Sequence, residues 1–150
     1  IEKAKEIFNN SGSSIVNVKK EIDGFILNRL QGALLNEAMR LYSQGYANSD
    51  EIDATIRDGL GLRWAFMGPF ETIDLNAPGG IKDYMSRYGS IYTEMAKNQT
   101  QVPDWSDKMG EKLEIERRKV LPKNQLEERA KKRNLLLKLL RKVKIENGEV

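Results

Sequence analysis

Apolar residues at positions 26, 27, 30, 34, 35, 38, 41 and 42 recur at spacings of three and four. The pattern predicts one long helix from about Phe25 to Gln44, with an apolar face wide enough for a central helix. Within Gly24-Phe25-Ile26-Leu27-Asn28-Arg29-Leu30 one amide interrupts that face. A polar group there costs free energy unless it finds a hydrogen-bond partner. Asn28 is therefore either a satisfied core amide or a group aimed at a ligand. Gly32 lies mid-helix, where glycine costs roughly 0.5–1 kcal/mol relative to alanine, and a close helix crossing would account for it.

The remaining pattern is almost wholly helical. Residues 2–10 read as a short helix stopped by Asn9-Asn10-Ser11-Gly12. Ser14 to Lys19 alternates like a strand but has no obvious partner. It reads as an edge strand of a missing sheet, as a strand paired with a second copy, or as an extended linker; the first reading is preferred. Gly45 stops the long helix. Asn48 and Glu51 form a capping-box pattern for the next one, which Gly59-Leu60-Gly61 is expected to end. Gly68-Pro69 opens a helix to about Leu75, and Asn76-Ala77-Pro78-Gly79-Gly80 makes a turn. Ile81, Tyr84, Met85, Tyr88, Ile91, Tyr92 and Met95 then form a helical stripe that reads as packing rather than a cofactor box. Ser106 caps a helix through Val120, and Pro122 separates a last one.

Composition narrows the chemistry. The chain has 150 residues, no cysteine and no histidine. The usual zinc sites and Ser-His or Cys-His nucleophiles are therefore excluded, and no metal site is expected. Neither G-x-G-x-x-G nor G-x-x-x-x-G-K occurs. No apolar run approaches the ~20 residues of a membrane span. The lack of cysteine fits a reducing, cytoplasmic setting. The net charge is +3, and Lys123–Lys144 is rich in Lys and Arg. That segment reads as a solvated helix face; it holds no aromatic residue for base stacking, so nucleic acid is not an expected partner.

Glu21 to Leu30 and Asn36-Glu37-Ala38 resemble the start of the C-terminal domain of the 3-hydroxyacyl-CoA dehydrogenase family. So do Asp53-Ala54-Thr55 leading into Gly59-Leu60-Gly61, and Met67-Gly68-Pro69-Phe70-Glu71. Gly61 to Pro69 is similar to the family's lambda-crystallin and L-gulonate 3-dehydrogenase branch. The fold this implies is mainly α, a helical bundle like the C-terminal domain of 6-phosphogluconate dehydrogenase. A remnant helix and strand of a missing Rossmann domain would precede it. On this resemblance residues 1–20 are the tail of an absent dinucleotide-binding domain, and 21–150 the helical substrate and dimerisation domain.

The resemblance further implies NAD-dependent oxidation of an L-3-hydroxy acid or acyl-CoA thioester by the intact parent. NAD would be bound by the missing domain and by no residue of this chain, which alone is expected to be inactive. Asn28 matches the Asn that the helical domain supplies to the site, where it would orient the substrate oxygen or the family's catalytic imidazole. Arg63, between apolar residues and expected in a Gly-bounded loop, either binds a substrate carboxylate or pairs with Asp58 or Glu71. Asp53 and Glu71 read as capping and packing residues. A homodimer is expected, since the apolar faces exceed what one small bundle can bury. The other reading is a structural, lambda-crystallin-like dimeric module without catalysis.

Overall fold

The structure, a computed structural model, describes residues 15–149. All regular structure among them is helical. The expected helix at 2–10 and Ser14 lie outside the described residues. Ile15 to Val18 has no regular structure and Lys19-Lys20 forms a bend. A strand needs a neighbour for its N–H and C=O groups, and none exists among the described residues.

Two compact units divide the chain: residues up to Gly32 together with Lys123 onward, and Ala33–Pro122. In the first, helix α1 (Phe25–Ser43) begins at two successive left-handed residues, Gly24 at φ 79° and Phe25 at φ 48°. A 3-10 turn, Lys123–Gln125, leads into the terminal helix, Leu126–Glu146. Its consecutive leucines 135, 136 and 137 point in three directions, so no single face gathers the apolar side chains, and all three are exposed. Glu127–Lys131 and Lys142–Glu146 pairs, at 2.7 and 3.7 Å, run along its surface.

The second unit holds the rest of α1 and five further α-helical segments. α1 ends at Gly45, whose φ of 76° fits the left-handed position of a Schellman motif. Tyr46 N–H bonds Leu41 O and Gly45 N–H bonds Tyr42 O. Helix α2 (Ser49–Ala54) starts with the expected capping box. Asn48 Oδ1 accepts from Asp50 and Glu51 N–H, while Glu51 Oε2 accepts from Asn48 N–H.

Gly59-Leu60-Gly61 does not end this helix. The backbone widens into a π-helical segment, Thr55–Leu60, and continues into α3 (Gly61–Trp64). Gly61 N–H reaches back five residues to Ile56 O. A Cβ on Gly61 would stand 2.8 Å from that oxygen, so the missing side chain lets the turn widen. Such π segments recur at functional sites. Helix α4 (Pro69–Leu75) has Pro at its first turn. α5 (Gly80–Asn98) carries the Tyr/Met stripe, and α6 (Asp107–Val120) is capped by Ser106 Oγ accepting from Met109 N–H.

Polar contacts tie α6 to α1 and α2. The Tyr42 hydroxyl donates to Glu116 Oε2 at 2.9 Å, and Ser49 N–H donates to Oε1 at 2.7 Å. Arg117 pairs with Asp50 and, at 3.2 Å, with Asp53. The Lys112 ammonium lies 4.7 Å from the Tyr42 ring centre. Trp105 Nε1 donates to Asn36 Oδ1 at 3.2 Å and Arg40 to Gln101 O at 3.1 Å, holding the α5–α6 connection against α1.

Among the described residues only Tyr42, Ala77, Ser49 and Thr72 are buried. Most of the expected inner positions are exposed, including Leu27, Leu30 and Leu35 on α1 and Met85, Ile91 and Met95 on α5. Nothing lies within 4 Å of a Cβ built on Gly32, so the expected close helix crossing is absent from the described residues.

Candidate functional site

Asn28 stands on the first turn of α1 and is exposed. Its amide forms no hydrogen bond among the described residues. The core-amide alternative therefore fails: there is no burial to compensate. The chain enters this turn through Gly24 and Phe25, where Phe25 N–H bonds Ile22 O at 3.1 Å. Gly24 is suited to this entry by its φ of 79°, while a Cβ there would meet Asn28 Cβ at 3.6 Å, an ordinary contact.

Arg63 sits on helix α3, not in a loop as expected, and is exposed. The proposed pairing with Asp58 does not form. Arg57 takes that carboxylate in a two-pronged pair, Nε to Oδ1 at 2.8 Å and Nη2 to Oδ2 at 2.7 Å, which holds Asp58 below the usual carboxylate range. Glu71 remains in the first turn of α4, where it complements the helix dipole. Arg63 forms no ion pair among the described residues. Asn28 belongs to the first unit and Arg63 to the second.

A pair of hydroxyls on α5 was not singled out from the sequence. The Tyr84 and Tyr92 hydroxyls meet at 2.7 Å across two turns of α5. The Tyr84 ring lies 4.8 Å from that of Tyr88, tilted, and 6.3 Å from that of Tyr92, stacked. The hydroxyl contact raises the Tyr84 pKa, and the positive charge of Arg63 opposes the rise. The stripe at 84, 88 and 92 was legible, but periodicity does not tell a packing tyrosine from one with a bonded hydroxyl.

Glu116 lies below its usual range because Ser49 and then Tyr42 bind the charged form. Ser49 presents both its hydroxyl and its N–H to this carboxylate; only the N–H meets hydrogen-bond geometry, leaving the buried hydroxyl unpartnered. Tyr42 is raised, first by burial and then by the carboxylate. Asp53 pairs with Arg117, an architectural role. No group of three or more His, Cys, Asp or Glu among the described residues could hold a metal ion. No described helix is long and apolar enough to cross a membrane.

Residues 24–138 match the 3-hydroxyacyl-CoA dehydrogenase C-terminal domain. The chain belongs to that family, as the helical fold and the motifs from Gly24 to Glu71 indicated. Among its relatives, lambda-crystallin of Oryctolagus cuniculus is 38% identical over 146 residues, 96% of this chain and 46% of the relative. A lambda-crystallin homolog of Bos taurus is 41% identical over 113 residues, 75% of this chain and 35% of the relative. L-carnitine dehydrogenase of Pseudomonas putida is 46% identical over 90 residues, 59% of this chain and 28% of the relative. The chain spans less than half the length of these relatives.

Proposed function

We propose that this chain is the substrate-side, dimer-forming domain of an NAD-dependent L-3-hydroxyacid dehydrogenase. The observation that carries the reading is Asn28: an exposed amide without a hydrogen bond among the described residues, at the family's Asn position and within a stretch that matches the family. The name of the carnitine dehydrogenase relatives supports oxidation of a hydroxy compound.

Oxidation at C3 breaks the C–H bond with its electron pair passing to the nicotinamide, while the hydroxyl proton passes to a base. This chain has no histidine to act as that base and no Gly-rich loop that fits a dinucleotide. Both functions fall to a preceding Rossmann domain. An amide does not act as a base at neutral pH. Its N–H groups and carbonyl can orient the substrate oxygen or the neighbouring imidazole. Arg63 is exposed and forms no ion pair among the described residues, which supports its guanidinium as a ligand for a substrate carboxylate and so a free hydroxy acid over a thioester. The absence of cysteine supports a cytoplasmic location.

Replacing Asn28 by Ala in the full-length protein should lower turnover at least about tenfold, with the melting temperature preserved. Unchanged turnover removes Asn28 from the site. The isolated chain should show no heat of NAD binding by calorimetry; a measurable heat refutes the division of labour. A full-length protein without dehydrogenase activity would favour the structural, lambda-crystallin-like reading instead.

A further inference from the structure

We propose that Asn147 is a self-modification site, whose side-chain amide is lost to attack by the backbone nitrogen of Gly148. The helix cap built from the same two residues restrains the reaction and is undone by its product.

The chemistry follows from the residue pair. Asn147 is the only asparagine of the chain that is followed by glycine. The Gly148 nitrogen gives its proton to a solvent base and bonds to Asn147 Cγ, closing a five-membered imide. The Cγ–Nδ2 bond breaks, and ammonia leaves with the electron pair and a proton. Water then opens the ring. Addition at Cγ gives aspartate, whereas addition at the main-chain carbonyl leaves the chain running through the side chain, as isoaspartate. Glycine has no side chain to shield its nitrogen, and both residues are exposed.

The fold restrains this reaction. Asn147 is the C-cap of the terminal helix, and Gly148 follows it at φ 74°. Gly148 N–H donates to Ile145 O at 3.2 Å and Glu149 N–H to Lys144 O at 2.9 Å, the two bonds of a Schellman motif. Asn147 Nδ2 donates to Val143 O at 2.8 Å. The attacking nitrogen and the departing one are thus both tied to helix carbonyls. The imide closes from molecules whose last turn has opened, and helix ends are where opening costs least.

The product dismantles the cap. An aspartate in place of Asn147 has no Nδ2 donor for Val143 O. It also sets a negative charge at the negative end of the helix dipole, beside Glu146. Isoaspartate inserts a methylene into the main chain between Asn147 Cα and the Gly148 nitrogen, which breaks the register of both Schellman bonds. The last turn therefore carries a one-way timer, slow while capped and irreversible once spent.

The test keeps the full-length protein in warm, mildly alkaline buffer and follows it by peptide mass mapping. The exchange of an amide for an acid should appear at Asn147 ahead of every other asparagine, with both aspartate and isoaspartate among the products. Asp23-Gly24 and Asp58-Gly59 can isomerise through the same ring but release no ammonia, so mass separates them. Glu149→Pro removes the N–H that bonds Lys144 O and should speed the loss at least about threefold. A peptide spanning 143–149, too short to hold a helix, should react about tenfold faster or more. Gly148→Ala strains the same cap but shields the nitrogen, and should slow the loss. Earlier loss at another asparagine, aspartate without isoaspartate, or faster loss in Gly148→Ala overturns attack by the Gly148 nitrogen. Equal rates in peptide and protein overturn the restraint by the cap, and the proposal with it.

Discussion

The Tyr42 hydroxyl donates to the Glu116 carboxylate at 2.9 Å, across 74 positions of sequence. The other carboxylate oxygen takes the Ser49 N–H at 2.7 Å. One side chain on α6 thereby fastens the end of α1 and the start of α2, next to the most buried aromatic ring of the described residues. This junction is strongest while Glu116 is ionised.

Acid should therefore loosen the second unit through Glu116. Its folded pKa lies below the ordinary value of a glutamate, because Ser49 and Tyr42 bind the charged form. The stabilisation is complete above the unfolded pKa and is lost as pH falls through the folded one. Melting temperature followed from about pH 6 down to about pH 3 should fall more steeply in the unmodified chain than in Glu116→Gln, which cannot titrate. Parallel slopes would remove Glu116 from the acid transition. Tyr42→Phe should shift the onset of the fall toward higher pH, since one donor to the charged form is gone.

The glycines of the chain divide by what surrounds them. Gly61→Ala places a Cβ 2.8 Å from Ile56 O, a backbone atom that cannot swing aside. It should destabilise by about 1–3 kcal/mol in urea unfolding, the range for an overpacked site. Gly32→Ala meets nothing within 4 Å inside α1 and should stabilise by about 0.5–1 kcal/mol through helix propensity. Equal effects at the two positions would contradict the π-helical geometry at Gly61.

Local signals made most helices readable. The predicted end of α1 at Gln44 differs by one residue from the observed Ser43, because Gly45 supplies the left-handed stop on its own. The Asn48–Glu51 box and Pro69 were readable for the same reason: each cap is settled within four residues. The π segment was not readable, because a glycine that ends a helix and one that admits a carbonyl look alike in sequence. The partner of Asp58 was missed too, since adjacent Arg57 reaches it first. Periodicity showed that α1 and α5 have apolar faces. It did not show that so little of them would be covered within the chain, because a face records that burial is needed and not what provides it.

Those uncovered faces lead to an expectation about assembly. Leu27 on α1 is 75% exposed and Met85 on α5 is 63% exposed, within broad apolar stripes. Exposed apolar surface of this extent marks an interaction face. The chain should sediment as a homodimer at micromolar concentration. Monomeric behaviour there would contradict the homodimer.

Phe25 holds a left-handed backbone, φ 48°, and is 62% exposed as a residue. The conformation costs roughly 1–2 kcal/mol for an L-residue with a Cβ, and the exposed ring recovers little by burial. Asparagine tolerates the same region, because its short polar side chain bonds locally. Phe25→Asn should therefore raise stability by about 0.5–1 kcal/mol in urea unfolding, whereas Phe25→Ile, β-branched, should lower it. A loss of stability in Phe25→Asn would show that the ring is covered in the assembled protein. The same variant bears on Asn28, one helical turn away. If the strained entry sets the direction of that first turn, relaxing it should lower turnover of the full-length enzyme while raising its melting temperature. A gain in both would separate the strain at Phe25 from the placement of Asn28.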